Sequence, residues 1–197
     1  MSDILTKWDS SLSATQFARL DRNLSRRDFL AHTGKAMLGL SLLPSSLAIS
    51  SCQTSSHPWD TFAAVQQILF PDDGNGPSAK QINATAYLQF VLSAPDTDKE
   101  DSAFILNGIN WLNKLAQDTL QADFIQLTVA QQEKTIQTIS QSQAGDRWLS
   151  YLLLYIVEAL LSAPAYGGNP NGVGWQWLAH QPGYPHPPID KIYTKLP

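Results

Sequence analysis

The amino-acid sequence predicts an all-α protein: a single small helical domain with a buried apolar helix and an irregular C-terminal tail rich in glycine, tryptophan and proline. Three observations lead to this fold class. Apolar residues recur at helical spacing in several segments. Hydroxyl-bearing residues stand three positions before Glu or Gln at the start of such segments, as in a capping box. No series of alternating apolar and polar residues separated by turn residues indicates a sheet.

The first two helices are predicted from proline and serine. Proline begins the segment 58–70, PWDTFAAVQQILF, and Pro71 ends it, because proline cannot continue the hydrogen-bond ladder of a helix. The sequence PDDGNG that follows lacks the spaced acidic series of a calcium loop and is interpreted as a turn. Ser78 with Gln81 then has capping-box spacing, which predicts the start of a second helix.

Two further helices are predicted from the same spacing. Thr97 with Glu100 precedes the segment 102–120, SAFILNGINWLNKLAQDTL, whose apolar residues form a broad face. Thr128 with Gln131 precedes VAQQEKTIQTISQ.

The last predicted helix, RWLSYLLLYIVEALLS over residues 147–162, is apolar nearly all round. Its length indicates a buried core helix rather than a membrane span. Glu158 is the only acidic residue in this segment. Its carboxylate is either a buried functional group with a raised pKa or a group near the helix end that is hydrogen-bonded or faces a partner.

The glycine-rich segment 163–180, APAYGGNPNGVGWQWLAH, follows that helix. A dinucleotide-binding turn needs a strand before its glycines, and a Walker loop needs Lys and Ser or Thr after the last one, so phosphate binding is disfavoured. Glycine permits positive φ and close backbone approach, and Trp and Tyr are enriched at interface hot spots. We therefore predict a partner interface formed by Tyr166, Gly167, Gly168, Asn169, Gly174, Trp175 and Trp177.

The indoles of Trp175 and Trp177 have two compatible roles, packing over the helical core and contact with a partner. In an extended segment they would share one face, and in a helical turn they would diverge. The tail from residue 180, HQPGYPHPPIDKIYTKLP, contains five prolines. We expect it to lie extended across a surface, either its own or a partner's.

The first 51 residues are predicted to be a separate export leader, followed by a body over residues 52–197. The leader contains six basic and four acidic residues, whereas the remainder contains seven and thirteen. An apolar run over residues 36–49, too short to span a bilayer, suits the h-region of an export signal. The order SRRDFL before it resembles the signal read by the twin-arginine (Tat) translocase. The residues that carry this resemblance are Ser25, Arg26, Arg27, Phe29 and Leu30.

Cys52 is the only cysteine and stands where the leader ends. The residues before it, Ile49, Ser50 and Ser51, resemble a bacterial lipoprotein cleavage site, which predicts lipidation of Cys52 and anchoring at a membrane. The alternative is a free thiol with ordinary signal cleavage nearby, for example after Ala48. A single cysteine excludes an internal disulfide.

Composition and motifs disfavour several function classes. Charged residues make up only 15% of the chain, and no basic run indicates a nucleic-acid partner. The body histidines, His57, His180 and His186, lack neighbours at metal-ligand spacing. Neither a c-type haem motif nor a nucleophile elbow is present. These patterns predict no catalytic, cofactor-binding or metal-binding residue.

Together, the twin-arginine leader, the segments QQILFPDDGNGPSA and APAYGGNPNGVGWQWL, and the intervening Trp- and Leu-rich helix resemble the gluconate 2-dehydrogenase subunit 3 family. The resemblance implies a non-catalytic small subunit of a periplasmic, membrane-associated flavin dehydrogenase. It implies a large FAD-binding subunit of GMC type that oxidises a sugar or polyol, and a multihaem cytochrome c subunit that passes electrons on. The small subunit would carry the Tat signal for the complex and help the large subunit mature.

The alternative function is a free-standing periplasmic lipoprotein that binds a small ligand or glycan by stacking it on the aromatic loop.

Overall fold

A computed structural model of the chain describes residues 57–183 and 185–195. Within those ranges the fold is helical and contains no strand, which confirms the predicted all-α class. Short 3₁₀ turns connect the later elements. The α-helices are α1 (Pro58–Leu69), α2 (Ala84–Ser93), α3 (Lys99–Leu120), α4 (Val129–Ile139), α5 (Gln143–Leu161) and α6 (Val173–Trp177).

Helix α1 begins at the predicted residue and ends at Leu69, one residue before the end of the predicted segment. His57 caps it, since its Nδ1 atom accepts a hydrogen bond from the Trp59 backbone N–H at 3.4 Å. At the other end the Phe70 N–H still donates to the Gln66 carbonyl, and Pro71 stops the helix there.

Helix α2 begins later than the capping pattern predicts. The bonds of the box form: the Ser78 N–H donates to Gln81 Oε1 at 2.7 Å, and the Gln81 N–H donates to Ser78 Oγ at 3.4 Å. Asn83, however, has a left-handed φ of 57°, so the regular helix begins only at Ala84. Asn83 Nδ2 donates to the Gly167 carbonyl at 2.7 Å. This contact with a segment 84 residues away accompanies the non-helical conformation.

The prediction that Thr97 caps α3 was wrong by one residue. The Asp98 carboxylate accepts hydrogen bonds from the N–H groups of Glu100 and Asp101, because Asp is at least as good an N-cap as Thr. Thr97 instead donates its hydroxyl to the Val91 carbonyl at the end of α2.

The capping box predicted for α4 is confirmed. The Thr128 side chain accepts from the third helical residue, and Gln131 Oε1 accepts from the Thr128 N–H at 2.9 Å.

The core lies between α5 and helices α1, α2 and α3. Trp148, on α5, is fully buried and donates its Nε1 hydrogen to the Ile105 carbonyl on α3 at 2.9 Å. Its ring also lies 6.4 Å from that of Phe62 on α1. Gly108 makes room for the indole, because a Cβ added there would lie 2.0 Å from Trp148 Nε1. One aromatic side chain therefore joins three helices.

Helix α5 occupies the predicted central position, but it is not enclosed on every side. One face is buried, with Leu152, Ile156 and Ala159 at 0% exposure. On the opposite face aliphatic side chains are between 43% and 50% exposed. The neighbouring helices cover only part of its circumference, so a helix that is apolar all round presents apolar surface to solvent.

The proline-containing tail packs on the chain's own helical domain, which is one of the two arrangements predicted for it. Ile192 is buried, and the Tyr193 ring packs on those of Phe90 in α2 and Tyr166, with centroids 5.8 and 5.7 Å apart.

Candidate functional site

Asn169 organises the glycine-rich segment at the C-terminal end of α5. It is fully buried and has a left-handed φ of 48°. Its backbone N–H donates to the Ile82 carbonyl at 2.8 Å, and its Nδ2 donates to the Ser162 carbonyl at 3.0 Å. Its Oδ1 accepts from the Gly174 N–H at 2.7 Å. One side chain thus connects the end of α5 to the start of α6.

The glycines of this segment allow its backbone to lie directly against α5. A Cβ on Gly168 would lie 2.8 Å from the Ala159 carbonyl oxygen, and one on Gly174 would lie 2.2 Å from that of Leu160. Gly167 has a φ of 92°, which side chains rarely adopt. Close packing against a helix therefore accounts for these glycines.

The two indoles diverge because they lie on the short helix α6. Trp175 donates its Nε1 hydrogen to the Leu161 carbonyl at 2.8 Å, and its ring stacks on His186 with centroids 5.0 Å apart. Trp177 donates to the Asn75 carbonyl at 2.8 Å and remains 46% exposed. Both rings pack on the chain's own surface, and part of the Trp177 ring stays accessible.

The seven residues predicted to contact a partner therefore differ in accessibility. Gly168, Asn169 and Gly174 are buried within the chain, where they shape the segment. Tyr166, Gly167 and Trp175 are half-buried, and Trp177 is exposed. Contact of this set with a partner stays a prediction.

An open groove lies between α2 and the C-terminal part of α5. Three aromatic rings from separate segments, those of Phe90, Tyr166 and Tyr193, pack against one another along it in tilted or edge-on contacts, with centroids 5.4 to 5.8 Å apart. Its wall is otherwise formed by a fourth aromatic side chain, aliphatic and small side chains, and one carboxylate. The full lining is Tyr87, Phe90, Val157, Glu158, Leu161, Ser162, Ala163, Tyr166 and Tyr193.

An apolar stripe continues from this groove along the outward face of α5. Its members are Leu153, Leu154, Val157 and Leu161, exposed by 44%, 50%, 43% and 48%. At 100° per residue these four positions lie within about a third of the helix circumference. Val157 and Leu161 also line the groove, so stripe and groove form one continuous surface.

Glu158 lies where the stripe meets the groove, and it is half-buried. The Tyr87 hydroxyl donates to its Oε2 atom at 3.2 Å. Burial, followed by the nearby Glu158 charge, raises the pKa of Tyr87 far above its usual value, so this hydroxyl keeps its proton. The structure thus places Glu158 near the helix end as a hydrogen-bonded carboxylate that faces the surface.

The described histidines have separate surroundings. His57 caps α1, His186 stacks on Trp175, and His180 is exposed with its backbone N–H bonded to the Trp175 carbonyl. Within residues 57–183 and 185–195 no three His, Cys, Asp or Glu residues gather in a metal-binding arrangement.

The predicted export signal, Cys52 and the boundary between residues 51 and 52 lie outside the described residues. In the part of the chain that the structure describes, no helix combines the length and hydropathy needed to cross a bilayer.

Sequence reasoning missed the groove and the stripe. The aromatic residues of the groove come from segments up to about a hundred positions apart, and no local pattern joins Phe90 to Tyr193. The stripe did leave a signal: a helix that is apolar all round exposes one face when few elements are available to cover it.

Comparison with known proteins yields one match. A family model described as gluconate 2-dehydrogenase subunit 3 matches residues 56–183, more than half of the chain. No curated protein and no solved structure shows significant similarity to this chain.

Proposed function

The chain belongs to the gluconate 2-dehydrogenase subunit 3 family, and we propose that it is the small, non-catalytic subunit of a membrane-associated, flavin-dependent sugar or polyol dehydrogenase. The family name describes a subunit of a gluconate 2-dehydrogenase-type complex, and association with a catalytic dehydrogenase subunit follows from it. In this proposal the large subunit, of GMC type, holds FAD and oxidises the substrate. A multihaem cytochrome c is the third subunit and the electron acceptor.

The family match carries this proposal, and the surface of the body supports it. Half-exposed leucines and valine on α5 adjoin a groove lined by three aromatic rings in mutual contact. Apolar and aromatic surface with few charged residues is typical of a permanent subunit interface.

The leader supports a second part of the proposal, that the chain escorts its partner through the Tat translocase into the periplasm and helps it mature. A flavoprotein loaded with FAD is already folded, and the twin-arginine route carries folded proteins. A partner without a signal of its own therefore needs a subunit that has one. Ser25, Arg26, Arg27, Phe29 and Leu30 would supply this signal, and lipidated Cys52 would hold the mature complex at the membrane.

Co-purification tests subunit association. The full chain, tagged at its C-terminus and expressed in its native host, is isolated from membranes, and bound FAD and bound proteins are identified by absorbance and mass spectrometry. We expect a large flavoprotein and a dehydrogenase activity that the isolated small chain lacks. Isolation of the chain without a flavoprotein would contradict the proposal.

A double substitution tests the escort role separately. In Arg26→Lys with Arg27→Lys the flavoprotein should stay in the cytoplasm, because the translocase reads the arginine pair. Dehydrogenase activity is compared between cytoplasmic and periplasmic fractions, with Arg19→Lys and Arg22→Lys as the control outside the signal. Unchanged periplasmic activity in the signal variant would contradict export by this leader, even if co-purification succeeds.

The groove favours one alternative function, binding of a small ligand or glycan by a free-standing periplasmic lipoprotein. The aromatic rings of Phe90, Tyr166 and Tyr193 can stack on a sugar ring, and the Glu158 carboxylate beside them can accept hydrogen bonds from its hydroxyl groups. Intrinsic fluorescence of the isolated protein, titrated with gluconate, glucose and sorbitol, tests this function. Saturable change without any bound flavoprotein would favour it over the subunit proposal.

A further inference from the structure

The groove and the stripe on α5 form an apolar face with acidic groups at its edge. The face consists of Leu153, Leu154, Val157 and Leu161 together with the rings of Phe90, Tyr166 and Tyr193. Glu158 stands within it.

The charged groups that act on the groove tyrosines Tyr87 and Tyr193 are acidic. The guanidinium of Arg147 lies further back on α5, over the Tyr151 ring and 5.7 Å from its centroid. Asp101 accepts a hydrogen bond from the Tyr151 hydroxyl at 3.3 Å. Burial raises the pKa of Tyr193, and the nearby Asp96 charge raises it further. Among the described residues Glu158 forms no ion pair with Lys or Arg, and the ion pair present in those ranges joins Lys114 to Asp118 on α3. The groove lining likewise contains no basic residue.

We propose that this face binds an amphipathic segment of the flavoprotein subunit that covers the stripe with apolar side chains and directs an Arg or Lys side chain to Glu158. The inference rests on the proposed function and adds to it the surface and the chemistry of the partner. A carboxylate that is half-buried among apolar groups gains most from a partner that brings the opposite charge, because the surrounding water is displaced on binding.

Two other occupants fit the charge less well. A second copy of the chain, paired through the same face, would bring apolar side chains and a second carboxylate but no cation, because the face contains no Lys or Arg. A bilayer with anionic headgroups would repel the acidic edge of the face. A basic, apolar protein segment satisfies both the exposed aliphatic residues and the carboxylate.

The first experiment places a charge in the stripe. The full chain carrying Val157→Lys is compared with wild type and with Val129→Lys, a matched control on the exposed apolar side chain at the start of α4 (66% exposed). Each is tagged and co-expressed with the flavoprotein, and captured flavin is measured per mole of chain. We expect capture to fall at least about tenfold for Val157→Lys, since a charge in an apolar interface is desolvated without a partner. The Val129→Lys chain should capture as wild type does.

The second experiment isolates the charge of Glu158. Glu158→Gln keeps the size of the side chain and an acceptor for Tyr87, and Glu133→Gln on α4 is the exposed control. Wild type should lose captured flavoprotein as salt rises from about 0.05 to 1 M, because ions screen the pair. Glu158→Gln should capture less at low salt and respond less to added salt, whereas Glu133→Gln should behave as wild type.

The outcomes separate the two proposals. Flavoprotein capture by wild type with full capture by Val157→Lys leaves subunit association intact and overturns this face as its site. A salt response of Glu158→Gln equal to that of wild type overturns the ion pair. Failure of wild type to capture any flavoprotein contradicts the proposed function and with it this inference. Circular dichroism and melting temperatures verify that each variant folds.

Discussion

The backbone N–H of Gly174 donates a 2.7 Å hydrogen bond to Oδ1 of Asn169, and both residues are buried beneath the last turn of α5. The same asparagine donates to the Ser162 carbonyl, so its side chain replaces contacts that a regular helix would have made with its own backbone. Through these bonds Asn169 holds the start of the indole-bearing helix α6 against the end of α5.

Asn169→Ala should destabilise the protein by about 3 kcal/mol. The change leaves the Gly174 N–H and the Ser162 carbonyl without their hydrogen-bond partner. Alanine also has no side-chain hydrogen bond to offset the cost of the left-handed backbone conformation. Asn171→Ala is the matched control, because Asn171 also has a positive φ of 56° but is exposed. It should cost only about 1 kcal/mol. Urea unfolding measures both, and equal losses would show that the side-chain bonds contribute little.

Gly174→Ala should cost about 2 kcal/mol or more, because its Cβ would lie 2.2 Å from the Leu160 carbonyl oxygen. Gly183→Ala is the control, since a Cβ there meets no atom within 4 Å, and its effect should stay within about 0.5 kcal/mol. The comparison uses thermal and urea unfolding. If the two variants prove equally stable, close approach of the loop to α5 is not what requires glycine at this position.

For Gly108→Ala we predict the sign of the change in the free energy of unfolding. In the interior of a helix this substitution ordinarily stabilises by about 1 kcal/mol. Here the new Cβ would lie 2.0 Å from Trp148 Nε1, and the indole is fully buried, so we expect a destabilisation of about 2 kcal/mol. The cost should shrink in a Trp148→Phe background, where the smaller ring leaves room. A stabilising Gly108→Ala would contradict the packing of Trp148 over α3.

Tyr87→Phe should change how stability depends on alkaline pH. The folded state raises the pKa of Tyr87, so the unfolded chain loses this proton first. The contribution of the hydroxyl is therefore fully present below the unfolded pKa of about 10 and is lost as pH rises above it.

Urea unfolding at several pH values between about 8 and 11.5 tests this dependence. The unfolding free energy of wild type should fall more steeply above pH 10 than that of Tyr87→Phe. Parallel curves for wild type and Tyr87→Phe would contradict the burial of this hydroxyl beside Glu158.

The helices were predictable because their signals are local. Pro71 ends α1 because proline has no N–H to continue the helix. The capping box of Thr128 and Gln131 begins α4 through hydrogen bonds within four residues. The errors arose where a second group competed for the same backbone. Asp98 displaced Thr97 as the cap of α3, and a bond from Asn83 to the distant Gly167 accompanied the delayed start of α2.

The candidate site was predictable in part. The glycine-rich segment was recognised as unsuited to phosphate and as bearing indoles, and both conclusions came from residue order alone. The accessibility of its residues was not predictable, because Asn169 and Trp177 contact segments far away in the chain, at Ile82 and at Asn75.

The sequence by itself determined the all-α class, the central position of α5 and, through the blocks around residues 66–79 and 163–178, the family. It could do so because helix periodicity, capping and family motifs are written in neighbouring residues. Only the tertiary structure decided that α5 keeps one face uncovered, that Tyr193 returns to Phe90 and Tyr166, and that Glu158 stands among them with Tyr87 as its donor. Those relationships are set by how many elements can pack around one helix, a quantity that no local pattern contains.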